Sequence, residues 1–130
     1  VIICSRGIYT IETKARTKPT KGNAQVLVNG DHVVVAGHVP DRDPIAQAQT
    51  WARTLREILR ESIGKFLDVR PVVVFPGWFV VDSRPAGSPV WVLEPKQLPG
   101  RMAHEARSIK ESDVTLATYH LSRHIRTYQR

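Results

Sequence analysis

Gly7-Ile8-Tyr9-Thr10-Ile11-Glu12-Thr13-Lys14 decides how this chain folds. Its β-branched and aromatic residues favour an extended strand. Side chains alternate along a strand, so Ile8, Thr10, Glu12 and Lys14 share one face while Tyr9, Ile11 and Thr13 share the other. Glu12 and Lys14 therefore project side by side. A carboxylate beside an ammonium at a strand's end can hold a hard divalent cation, with the lysine orienting a water or offsetting charge on a phosphorane. The same acid–base alternation also serves as a plain ion pair on a surface strand.

Outward from this stretch, residues 1–4 form a second β-rich run. Ser5-Arg6-Gly7 reads as a three-residue hairpin connection in which Gly7 takes a positive φ. Residues 17–22 are a polar loop. Residues 25–28 and 32–36 are short strands joined by the turn Asn29-Gly30-Asp31. After a loop over 37–42, Asp43-Pro44 supplies an N-cap acid and a proline at the first helical position, and the helix is expected to run to Ile63 and stop at Gly64. Ile45, Ala48, Ala52, Leu55 and Leu59 make its apolar face. Gln47 falls at the margin of that face, one turn before Trp51 and on the same side.

Residues 69–75 are continuously apolar at their centre, the pattern of a strand buried on both faces. Pro76-Gly77 turns the chain. Residues 78–81 and 90–93 read as edge strands around a loop over 85–89, and Ser112 opens a second amphipathic helix with Val114, Ala117, Leu121, Ile125 and Tyr128 on one side. An early meander, a crossover helix and a buried strand imply an α/β fold with one mixed sheet and helices packed on it.

The chain has 130 residues, one domain's worth, with apolar and charged fractions of 42% and 24% that are ordinary for a globular fold. Cys4 is its lone cysteine, which excludes an internal disulfide and points to a reducing compartment. No secretory signal stands out, and no apolar run approaches the ~20 residues that span a bilayer. A soluble, cytoplasmic protein with no membrane partner is the expectation. The net charge of +7 and pI near 10.1 favour a polyanionic partner.

Three segments in order, residues 7–14, the helix opening Asp43-Pro44-Ile45-Ala46-Gln47-Ala48, and Val72-Val73-Val74-Phe75, resemble the nuclease-related domain (NERD) family of the restriction-endonuclease-like superfamily. The likeness spans residues 1–81, and its most specific parts are Ile11-Glu12-Thr13-Lys14 and Pro44-Ile45-x-Gln47. The resemblance implies a restriction-endonuclease-like mixed β-sheet flanked by helices and a phosphodiesterase acting on DNA (or RNA) with Mg²⁺ or Mn²⁺. It makes Glu12 a metal ligand, the Thr13 carbonyl a further ligand, Lys14 the transition-state or water-positioning group, and Gln47 a polar contact inside the site.

Such relatives also carry an acidic ligand on the strand before Glu-x-Lys, and none stands between Val1 and Gly7. The expectation is therefore a core, over 1–94, that is incomplete at its N-terminus, binds metal poorly and is inactive as it stands, with a helical extension over 95–130 packed on it. Arg16, Lys18 and Lys21 follow the strand directly and are expected to grip a nucleic-acid backbone. The rival reading is a non-catalytic module that keeps the scaffold to bind nucleic acid or a protein.

Other residues carry plainer expectations. Arg53, Arg56 and Arg60 read as a solvated stripe paired with Glu57 and Glu61. His120 and His124 have a zinc-clip spacing but no cysteine or acid beside them, so an exposed polar face is expected. Capping accounts for Asp43, and Asp41 needs no role. Trp51, Trp78 and Trp91 read as core or sheet-packing residues, and Cys4 as a buried strand cysteine. No Walker or dinucleotide glycine loop is present, which speaks against ATP and NAD.

Overall fold

The computed structural model describes residues 1–16, 24–30 and 32–128, with side chains described as far as residue 124. The decisive stretch forms β2 (Gly7–Thr13), and β1 (Ile2–Cys4) runs antiparallel to it with Cys4 opposite Gly7. The connecting turn is thus Ser5-Arg6 alone. Gly7 lies within the strand and has no positive φ, contrary to the expected loop. A Cβ there would sit 3.2 Å from the Tyr9 hydroxyl, so any larger residue presses on the Tyr9 ring by a few tenths of an ångström.

β3 (Gln25–Asn29) and β4 (His32–Val35) form the second hairpin. Another tight turn follows at once, with Val35 and His38 exchanging backbone hydrogen bonds of 2.8 and 2.9 Å across Ala36-Gly37. Both turn residues have positive φ, 51° and 80°, the geometry that suits a two-residue hairpin loop. Ala36 carries a Cβ into the left-handed region at a cost of about 1–2 kcal/mol.

α1 (Pro44–Ile63) starts and stops where its signals stand. Asp43 Oδ1 accepts from the Ile45 N–H at 2.9 Å, and Gly64, with φ 70°, donates its N–H to the Arg60 carbonyl. Its apolar face is buried as read, and Ala48 and Ala52 have no exposed surface at all. Side chains this small let the helix backbone lie close against the strands beneath it.

β5 (Val69–Val74) runs parallel to β2, with Val73 opposite Glu12, and β7 (Trp91–Leu93) runs parallel to β5 on its far side. A single mixed sheet was expected; there are two. β6 (Phe79–Asp82) leaves the first sheet and pairs in parallel with β3, giving orders β1-β2-β5-β7 and β4-β3-β6. The physical reason lies in burial. β5 is covered on both faces, whereas β3 and β4 bury only Val26, Val28, Val33 and Val35, against Phe75, Trp78 and the start of α1.

β7 is last in its sheet, yet all three of its residues are buried. A 3₁₀ turn (Pro95–Gln97) and the short α2 (Leu98–Ala103), whose separate bounds were not read from the sequence, lead the chain over that face. There Leu98 and Met102 pack against Tyr9, Val72, Val74 and Trp91. On the opposite face, α3 (Glu111–Tyr128) places Ala117 and Leu121 against Ile8, Leu55, Leu59 and Val69. No helix among the described residues is long and apolar enough to cross a membrane.

Candidate active site at the end of β2

Burial falls away along the face of β2 that meets α1. Ile8 and Thr10 are at 1% and 0% exposure, whereas the Glu12 and Lys14 side chains keep 25% and 26%. The apolar filling ends where the strand ends, so the two charges stand at the lip of the core. Across from them, one turn into α1, Gln47 accepts a hydrogen bond from Lys14 Nζ at 2.8 Å. An ammonium can only donate, so the amide presents its oxygen, and its NH₂ group keeps two donors for another partner.

Glu12 Oε2 lies 3.9 Å from Lys14 Nζ, an ion pair too long to be a hydrogen bond. That oxygen is buried and has no hydrogen-bond partner among the described residues. Desolvating a carboxylate oxygen without supplying a donor is unfavourable, and an atom in that condition suits a cation. Thr13 contributes through its backbone. Because the Lys14 N–H bonds the Val74 carbonyl at 2.9 Å, the trans peptide sends the Thr13 carbonyl the other way, toward the edge that β1 covers only as far as Tyr9. Thr10 Oγ1, on the Glu12 face, is also buried without a partner among the described residues, a feature that composition and spacing do not reveal.

These groups open on a cleft of about 660 Å³ bordered by Glu12, Lys14, Arg42, Gln47, Thr50 and Trp51. Trp51 corrects an expectation: it is 40% exposed on the cleft wall instead of lying in the core, while Trp78 and Trp91 are buried as read. The helical wheel places Trp51 on the Gln47 side, but it does not show that this side borders an open cleft.

Arg16 is exposed just beyond β2, and its carbonyl accepts from Trp78 Nε1 at 3.4 Å. Lys18 and Lys21 lie outside the described residues. Arg56 is exposed with Arg53 and Arg60, and its guanidinium also donates to the Val69 carbonyl at 2.9 Å, tying α1 to the start of β5. Arg60 does pair with Glu57, and that hydrogen bond holds the Glu57 carboxyl below its ordinary range. Cys4 is half-buried, not fully buried. Among the described residues no three His, Cys, Asp or Glu side chains gather as a metal cluster, those around His120 and His124 included.

Two mixed sheets, a crossover helix and a central strand ending in Glu-x-Lys place the chain among nuclease-like α/β folds. Within that class, the model of the nuclease-related domain (NERD) family matches residues 1–76, and the chain belongs to that family. The matched segment holds β1 to β5 and every site residue named above from Thr10 to Trp51. No curated protein and no solved structure matches the chain.

Proposed function

We propose that this protein hydrolyses phosphodiester bonds of nucleic acid, with DNA as substrate ahead of RNA, and that Glu12, Lys14 and Gln47 are its working groups. One observation carries the reading: a buried, donorless carboxylate oxygen stands beside an ammonium that a helix amide holds in place. The nuclease-related family and the net charge of +7 support it.

The donors fit a hard divalent ion, Mg²⁺ or Mn²⁺, because Mg²⁺ is commonly held by one or two carboxylates together with substrate phosphate oxygens. Glu12 and the Thr13 carbonyl would hold it, and it would supply Lewis-acid polarisation and a more acidic water. Lys14 offsets charge that builds on the phosphate in the transition state. Gln47 keeps the ammonium in position and offers its own N–H groups to a phosphate oxygen or a water. Arg16, Lys18 and Lys21 grip the backbone alongside. The lone thiol fits a reducing, cytoplasmic setting.

The test is cleavage of labelled DNA and RNA with Mg²⁺ or Mn²⁺ added. Glu12→Gln and Lys14→Met should each slow cleavage by about 100-fold or more while leaving circular dichroism and melting unchanged; undiminished cleavage in both variants refutes the reading. A non-catalytic scaffold is the second reading, and it is favoured by the lack, among the described residues, of any group of three or more His, Cys, Asp or Glu side chains placed to hold a metal. Calorimetry with Mn²⁺ separates the two, since a scaffold shows no binding that depends on Glu12.

A further inference from the structure

The cleft beside Glu12 and Lys14 has one wall that the hydrolytic chemistry leaves unused. Trp51 stands one helical turn beyond Gln47, borders the same space, and keeps 40% of its surface exposed. This fold treats its packing indoles otherwise. Trp78 and Trp91 are 2% and 4% exposed. The Trp91 ring lies under the guanidinium groups of Arg70 and Arg101, at 5.0 and 4.9 Å, and the Trp78 N–H is bonded to a carbonyl. Trp51 has neither a cation over its ring nor a partner for its N–H among the described residues.

Its surroundings leave that face open to a ligand. Thr50 and Thr54 turn their hydroxyls back onto helix carbonyls at 3.0 and 3.1 Å, so they do not compete for a polar partner. Arg42 borders the cleft as well, exposed and without an ion pair among the described residues. One turn of helix is ~5.4 Å, of the same order as the separation between a base and its own phosphate. A base seated on Trp51 would therefore leave its phosphate near Lys14 and Gln47.

We propose that Trp51 is a stacking platform for an unpaired base, and that this site takes single-stranded nucleic acid or the unpaired end of a duplex. The proposal rests on the hydrolase reading for the purpose of the cleft. Its physical basis is access: in a duplex each base is covered above and below by its neighbours, so an indole finds a free face only on a base outside the stack. Stacking is indifferent to base identity, because every base has a π-face, and each stacked base raises affinity by about 5- to 150-fold.

The experiment is equilibrium binding by the 130-residue chain, with a chelator present so that nothing is cut. Three labelled probes are compared: a single strand of about 12 nucleotides, the same strand made abasic, and the corresponding blunt duplex. Trp51→Ala is expected to weaken single-strand binding by about 5- to 150-fold and to leave the abasic strand and the duplex unchanged. Trp51→Phe is expected to keep most of the single-strand affinity.

Single-strand binding by Trp51→Ala equal to that of the parent, an equal loss on all three probes, or no single-strand binding by the parent would each overturn the proposal. Cleavage by Glu12→Gln keeps the two readings apart. Persistent cutting by that variant and by Lys14→Met, with a base-dependent loss in Trp51→Ala, removes the proposed hydrolytic site and leaves the platform standing. Abolished cutting with no base-dependent loss does the reverse.

Discussion

Lys14 commits one of its three donors to Gln47 and keeps the others at the lip of the cleft. Gln47→Ala would release the ammonium without emptying any part of the core, since Gln47 is only half-buried. Supports of this kind are worth about 10- to 100-fold, so single-turnover cleavage should fall by that much while the urea midpoint stays put. An equal loss of stability would mean that the amide is structural. Strand alternation alone made the shared face of Glu12 and Lys14 legible, and the helical wheel put Gln47 near it. The buried oxygen of Glu12 and the open indole of Trp51 were not legible, because each depends on where the neighbouring strands end, and local pattern does not record that.

Single elements were read best where a backbone demand falls on one residue type. Asp43, Pro44 and Gly64 bound α1 where expected because an orphan N–H, a fixed φ and a left-handed cap each select their residue. The turn at Ala36-Gly37 escaped notice because alanine gives no turn signal, although its φ of 51° places it where asparagine belongs. Ala36→Asn should stabilise the protein by about 1 kcal/mol, since asparagine tolerates that region through local hydrogen bonding. Urea unfolding at constant m-value checks this, and a destabilised variant would mean that the Ala36 methyl packs better than its backbone strain suggests. The individual turns within 95–103 were not legible for the opposite reason: Pro95, Pro99 and Gly100 look like loop, yet the segment folds over Trp91 and Leu93.

At the scale of the molecule, the α/β class was legible and the division into two sheets was not. Strand pairing is a long-range choice, and Val26-Leu27-Val28 and Val33-Val34-Val35 are as continuously apolar in sequence as β5, although the structure buries them on one face only. Where the sheets part, Arg84 acts as a clasp, bonding Asp82 at the end of β6 and the Val90 carbonyl just ahead of β7 at 2.8 and 2.7 Å. Burial pushes the Asp82 carboxyl up, but hydrogen bonds from the Arg84 side chain and backbone outweigh it, so the group sits below its ordinary range. Its contribution is therefore complete above the unfolded aspartate pKa of about 3.9 and is lost as pH falls through the lower folded value. Asp82→Asn should melt earlier than the parent near neutrality, with the gap closing in acid. A gap that is the same at every pH would dissociate the clasp from charge.

The buried alanines of α1 have a reach beyond packing. Ala48 adjoins Gln47 in sequence and has no exposed surface, so the stand-off between helix and sheet at that point is one methyl thick. The span that Gln47 must bridge to reach Lys14 is thereby gauged by a side chain that faces the interior and meets no substrate. On the proposed hydrolytic reading, alignment of the Lys14 ammonium is shimmed from behind, and drift in the core at that spot would detune cleavage before it unfolded the chain.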